Sequence, residues 1–274
     1  MSYDILFASE KALKLKRDLA TPLYEQLADG LRQQIADGKL KPGAGLPPES
    51  ALTSNFRVSR ITARKALELL VREGLIERRQ GKGTFVAPPK IQQDLHTLRG
   101  FAEVMASQGR EQAMQVLEFG IVSADVTIAR ALRLPQGESV LRIKRRHLFR
   151  NAPIAFALIY IPQPYARMLT LEQVATTPIY TLLTHQAQIE IKRATQIVRT
   201  LAADATMAKL LALPKAAPVM MIERITYSTQ EKPVEYIVFY HRGDRYELAV
   251  ELFRDPKENV FRPMDNVAGL LPES

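Results

Sequence analysis

The 274-residue chain contains no cysteine and no tryptophan, and only 4 histidines. Without thiols it can form no disulfide framework, thiolate zinc site, iron–sulfur cluster or cysteine nucleophile, leaving His, Asp and Glu as the only metal ligands. Long apolar runs are also missing. The longest spans residues 152–162, well short of the roughly 18 to 20 residues that cross a bilayer, so no membrane partner is expected. The first twenty residues mix charge into apolar positions and lack the basic, apolar and small-residue segments of a secretion signal, which leads to the expectation of a cytoplasmic protein. Acidic residues are in the minority, 29 against 38 Lys+Arg, for a formal charge of +9. That bias favours a polyanionic partner. What is present, 46% hydrophobic and 24% charged residues, suits a folded chain long enough for two domains.

From Thr21 the sequence TPLYEQLADGLRQQIADGKLKPG places Pro22 in a first helical turn and spaces Leu23, Leu27, Leu31 and Ile35 on one face. Gly38 and Pro42-Gly43 end that helix. A short helix is expected from Pro48, and a third from Ser59, whose hydroxyl can cap the first turn. The third helix backs Arg60, Thr62 and Arg64 with an apolar stripe of Ala66, Leu67, Leu70 and Val71. A basic, hydrogen-bonding helix start of this kind suits a DNA major groove. Beyond Gly74, two extended stretches flank Gln80-Gly81-Lys82-Gly83, a hairpin with a glycine-rich basic tip that can approach a phosphate backbone. Between Arg57 and Lys82 there are eight basic and three acidic residues, so more than half of the net charge falls in one short segment.

A charge run is usually a solvated face, and charge alone would leave it there. The order of parts is more specific. Leu46, Pro47 and Glu49, then Val58, Ser59, Arg60 and Arg64, then Gly81, Gly83, Thr84 and Val86 resemble the winged helix-turn-helix of GntR-family transcription regulators over residues 22–86. The resemblance implies a double-stranded DNA partner carrying a pseudo-palindromic operator. Arg60 and Arg64 are then the candidates for guanine edges, which a planar guanidinium can bond through two acceptors at once. Ser59, Thr62, Gly81, Lys82 and Gly83 are candidates for phosphates or a groove wall. Two positions depart from the family pattern. Pro48 replaces a capping Ser, and Ser50 replaces an Arg that contacts the operator, so no DNA contact is carried to Ser50.

Ala87-Pro88-Pro89-Lys90 reads as a stiff connector, followed by a helix expected over 95–108. Downstream the hydrophobic period changes to two, giving strands over 116–122, 140–149, 154–161, 189–200, 219–227, 234–241 and 246–253. The pattern Ala124-Asp125-x-Thr127-x-Ala129, Leu132-x-Leu134-Pro135 recurs 79 positions later as Ala203-Asp204-x-Thr206-x-Ala208, Leu211-x-Leu213-Pro214. Each copy precedes a strand, a turn containing Pro153 or Pro233, and another strand. Two related helix-plus-hairpin units around one mostly antiparallel sheet make an α+β domain. This segment is similar to the UTRA effector-binding domain of the HutC-type GntR subfamily, whose fold resembles chorismate lyase. The division expected is 1–20 N-terminal extension, 21–87 winged helix-turn-helix, 88–94 linker, 95–254 UTRA-like domain and 255–274 tail.

Strand parity puts Arg145 and His147 in the apolar row of Leu141, Ile143 and Phe149, and puts Glu235 and His241 at the ends of a row with Ile237 and Phe239. Polar groups in such rows are paired internally or held for a ligand, and composition alone leaves both open. The resemblance implies the second. Positions such as 145, 147, 235 and 241 line the family's effector cleft, with Tyr180 at another pocket position. Several departures, including His147 for Arg, Ala157 for Glu, Pro178 for Ser, His241 for Tyr, and Gly100 and Ala102 without hydroxyls, argue against a sugar phosphate and for a small carboxylate or other anion held by Arg145. His96 and His185 are expected at the surface of helices, and no metal or cofactor is expected. The resemblance to this family implies a homodimeric repressor that is not an enzyme. The alternative is an enzyme of chorismate lyase-like fold acting on a small carboxylic metabolite.

Overall fold

A computed structural model describes residues 15–79 and 81–252, and the chain divides into two compact units at Lys90 and Ile91. Gln80 of the expected hairpin tip, the start of the N-terminal extension and the expected C-terminal tail lie outside the described residues. Among the described residues no helix is long and apolar enough to cross a membrane.

The first unit comprises helices α1 (Leu23–Ala36), α2 (Glu49–Phe56) and α3 (Arg60–Arg72), then the antiparallel strands β1 (Ile76–Arg79) and β2 (Gly83–Val86). Leu27 and Leu31 of α1, Leu52 of α2, and Leu67 and Leu70 of α3 are fully buried together with Ile76 and Val86, so the four-residue spacing of leucines becomes the core. Pro48 starts α2 without a side-chain cap, whereas Ser59 accepts from the Thr62 amide at the start of α3.

In the second unit β3 (Ile91–Asp94) pairs in parallel with β10 (Tyr246–Ala249). The linker expected over 88–94 therefore contains a strand. The helix expected over 95–108 is also shorter, α4 (Phe101–Ser107). Asp94 Oδ1 accepts from the His96 amide at 2.8 Å and turns the chain, and Gly100 adopts an extended backbone at the helix start. Leu95 and Leu98, counted in the apolar period, are partly exposed. The strand expected over 246–253 ends at Ala249.

The main sheet has six antiparallel strands in the order β4 (Ala113–Ser123), β5 (Ser139–Phe149), β6 (Ala152–Pro162), β9 (Pro233–Arg242), β8 (Pro218–Ser228), β7 (Ile191–Ala202). On one face pack α4, α6 (Gln163–Ala166), α7 (Leu171–Thr176) and α8 (Ile179–His185), over Ile143, Ala157, Ile159 and Ile237. On the other lie α5 (Val126–Leu132) and α9 (Ala205–Leu211), over Val140, Val238 and Val219. The units β4–α5–β5–β6 and β7–α9–β8–β9 are related about the β6–β9 pair, as the sequence repeat requires. Their details repeat too. Asp125 caps α5 by accepting from Ile128 N at 2.8 Å, and Asp204 caps α9 from Met207 N at 2.7 Å. Arg133 and Ala212 end these helices in the left-handed region, at φ 52° and 50°.

Candidate functional sites

In the first unit the start of α3 is a polar platform. Ser59 Oγ and Thr62 Oγ1 lie 2.8 Å apart, so these two hydroxyls fix the helix start. Arg60, Arg64 and Lys65 are exposed beside them. Arg64 is bonded to Glu68 one turn on at 2.8 Å, which holds the Glu68 carboxyl below its usual range. Ile61, 69% exposed, shares this surface and was not singled out from the sequence, since an isolated exposed apolar residue gives no pattern. At the hairpin tip Gly81 and Gly83 adopt φ of 70° and 111°, a region that favours glycine, and Lys82 between them is exposed. Arg79 braces the hairpin by lying over the Phe85 ring, 4.5 Å from its centroid.

In the second unit the predicted polar row of β5 and that of β9 come together on the sheet face under α4 and α8. Between them β6 contributes Ala155, opposite both His147 and His241, and Ala157, opposite both Arg145 and Phe239. On this face lies a cleft of about 400 Å³, open mouth included, lined in part by Phe101, Arg145, His147, Tyr180, Arg224 and Glu235. His241 is 2% exposed and sits beside this cleft, its ring 5.1 Å from that of Phe101. His96, by contrast, is exposed in the bend after β3 with its ring on Asp94, and His185 is exposed at the end of α8.

The side chains of the cleft are almost fully withdrawn from water. Arg145, 4% exposed, donates from Nη1 to the carbonyls of Val174 and Thr177 at 3.1 and 3.4 Å, while its Nε has no partner among the described residues. Burial lowers its pKa to about 10, partly opposed by Glu235, so the guanidinium remains charged at neutral pH. His147 meets Gln112 Oε1 at 2.8 Å through Nδ1, with Nε2 unpartnered among the described residues. Burial pushes His147 well below the ordinary histidine value, helped by Arg145 and His241, and pushes His241 down to about 3, helped by Arg224. Both imidazoles are neutral. Opposite them runs a hydrogen-bond chain: Arg224 Nη1 donates to the Tyr180 hydroxyl at 3.5 Å, Tyr180 to Thr226 Oγ1 at 3.0 Å, and Thr226 to Glu235 Oε2 at 2.9 Å. Burial raises the Glu235 carboxyl, and the Thr226 hydroxyl, Arg224 and Arg145 act against that rise. A chain that ends on an accepting carboxylate keeps Glu235 available as an acceptor. Among the described residues no cluster of three or more His, Asp and Glu could hold a metal ion.

Arg224 and Thr226 were missed by reading row by row. The 79-residue offset would have found both, because Arg224 is the repeat equivalent of Arg145 and Thr226 that of His147.

The UTRA domain family matches residues 107–247, and the family described as bacterial regulatory proteins, gntR family, matches residues 23–86. The chain belongs to the GntR family, in its UTRA-containing HutC subfamily. It is 33% identical over 234 residues to the HTH-type transcriptional repressor NagR of Bacillus subtilis, covering 85% of this chain and 96% of that one. It is 32% identical over 229 residues to the mannosyl-D-glycerate transport/metabolism system repressor MngR of Escherichia coli, covering 84% and 95%. In fold it is similar to the crystal structure of PhnF from Mycobacterium smegmatis, with a TM-score of 0.56 at 24% identity over 83% of this chain and 99% of that one. This GntR-family chain is thus a transcriptional repressor with an effector-binding domain, and its relatives are regulators rather than enzymes.

Proposed function

We propose that this repressor is a cytoplasmic homodimer whose affinity for a pseudo-palindromic operator is set by a small anion bound in the second unit. The observation that carries the anion is Arg145, a charged guanidinium buried in the cleft wall whose Nε has no partner among the described residues. A buried unpaired donor of this strength is costly unless a ligand satisfies it. On the DNA side Arg60 and Arg64 take base edges. Ser59, Thr62, Lys82 and the amides of Gly81 and Gly83 hold the phosphate backbone. The exposure of Ser59, Arg60, Arg64 and Lys82 and the glycine conformations at the hairpin tip support that division. In the cleft Arg145 and His147 face the anion, and Tyr180, Glu235 and His241 shape the remainder.

The test begins with selection of bound duplexes from a random pool, where an inverted repeat with half-sites about one helical turn apart is expected. Small carboxylates and other anions are then screened for a change in affinity on that duplex, with the wild type and Arg145→Gln side by side. An anion that alters operator binding by the wild type and not by Arg145→Gln is the expected result. Binding without any enriched sequence would remove the operator, and a response carried only by uncharged compounds would remove the anion.

A further inference from the structure

The cleft is made from two copies of one hairpin, and the copies differ at the positions a ligand would touch. Arg145 and Arg224 are repeat equivalents on β5 and β8, each one strand in from an edge of the sheet. Both are buried, but they are engaged differently. Arg224 directs Nε and Nη2 at Gln196 Oε1, at 3.1 and 2.8 Å, and Nη1 at the Arg99 carbonyl at 3.0 Å as well as at Tyr180. The bonds of Arg145 leave from Nη1 alone among the described residues. The cross-strand neighbours differ in the same sense. His147 faces Ala155, whereas its equivalent Thr226 faces Glu235. One end of the cleft therefore holds an under-engaged guanidinium and a neutral imidazole with no carboxylate across the strand. The other holds a guanidinium already committed and a carboxylate beside it. Between the ends the walls are Phe101, Ile179, Ile237 and Phe239.

Two equal arginines would suit a symmetric dianion, but these are not equal. A second anionic group on the ligand would be carried toward Glu235, which accepts from Thr226 and so meets it acceptor to acceptor. A hydroxyl, amine or ring N–H there would instead donate to that carboxyl group. We infer that the effector is two-ended: a singly charged carboxylate head held by Arg145 and His147, an apolar middle, and a hydrogen-bond-donating tail held by Glu235. Dicarboxylates and phosphate monoesters are discriminated against. The inference rests on the reading of this cleft as the effector site.

Four probes built on one ring separate the possibilities by calorimetric titration of the full chain, at a pH where the phosphate is doubly charged. They are para-hydroxymethylbenzoate, para-methylbenzoate, terephthalate and para-hydroxymethylphenyl phosphate. The first should bind the wild type about tenfold more tightly than each of the others. Glu235→Gln, which keeps the side-chain size and can donate to an anion, should reverse the order of the first probe and terephthalate. The wild-type ranking decides even if that variant does not fold. Terephthalate or the phosphate binding as tightly as the hydroxymethyl acid, and still weakened by Arg145→Gln, would overturn the two-ended ligand while leaving an anion cleft in place. Equal binding of the methyl and hydroxymethyl acids would overturn the donor tail. Silence of all four probes, or binding indifferent to Arg145→Gln, would count against the cleft reading itself.

Discussion

Arg60 and Arg64 share the start of one helix but differ in what holds them before DNA arrives. Arg64 is tied to Glu68 across one turn in a surface pair, which is screened by salt and easily exchanged for a guanine edge or a phosphate. Arg60 is exposed at the first position of the helix, where residues reach the groove floor. Arg60→Ala should therefore cost about 1–3 kcal/mol on the selected operator and flatten the preference for one base position, measured by anisotropy titration against single-base variants of the duplex. Lys82→Ala should weaken all sequences alike and reduce the slope of log affinity against log salt by about one. An unchanged slope would remove Lys82 from the phosphate contacts. His241 governs a different property, acid stability. Its folded pKa of about 3 lies below the ordinary 6.5, so the unfolded chain takes up the proton first. Its contribution is fully present above about pH 6.5 and is lost as pH falls toward 3, at about 1.4 kcal/mol per pH unit. His147 acts in the same direction. Glu235, raised by burial, acts in the opposite one between its raised value and the ordinary carboxylate range. His241→Phe keeps a ring on Tyr246 and should remove that increment from the slope of stability between about pH 6.5 and 5 in urea unfolding. An unaltered slope would mean that the imidazole is protonated in the folded protein.

Two short helices, α5 and α9, carry the clearest internal control in the molecule. Each has seven residues, an aspartate cap bonded to the third amide, and a left-handed residue at its end. Asp125→Ala and Asp204→Ala should each cost about 1 kcal/mol, by nearly equal amounts and additively, because the two caps are separate sites. Unequal losses in denaturant unfolding would show that the repeat is one of shape and not of energetics. These elements were legible because Asp125 and Asp204 recur with the same leucines and prolines, and the strands beyond them because one buried face imposes a period of two. Arg145, His147, Glu235 and His241 stood out for the same reason, as polar residues in apolar rows. The segment around Leu95 was not legible. Its apolar spacing mimics a helix, but the Asp94 side chain turns the chain at His96 and Leu95 donates its amide to the Ala249 carbonyl. Strand β3 finds its partner β10 more than 150 positions away, and no local pattern encodes a long-range parallel pair. The engagement of Arg224 by Gln196 and Arg99 was hidden likewise, since it joins residues that only the folded sheet brings together.

At the scale of the whole chain, a regulator needs its cleft to bias the unit that binds DNA, and one element that can carry such an influence is the strand that follows the division between the two units. Strand β3 follows directly on Lys90, where the first unit ends. It is fastened to β10 by the Ile91 amide on the Arg245 carbonyl at 2.7 Å and by the Tyr246 hydroxyl, which donates to Gln93 Oε1. The Tyr246 ring stacks on His241 at 3.8 Å, and His241 in turn meets Phe101 in the cleft wall. Aromatic packing thus runs from the cleft wall to Tyr246, whose hydrogen bond reaches strand β3, and close packing favours shifts of such an array between discrete arrangements over smooth deformation. Tyr246→Phe retains the stacked ring and removes the bond to Gln93. It should leave anion binding within about twofold of wild type while shrinking the ratio of operator affinities measured with and without the anion, a coupling that typically spans about 5–150-fold. Gln93→Leu should do the same from the other side of the bond. Because binding free energies are linked reciprocally, operator DNA should change anion affinity by the same factor in the wild type and by a smaller one in both variants. Full coupling in Tyr246→Phe and Gln93→Leu alike would show that the cleft reaches the DNA-binding unit by a route that bypasses β3.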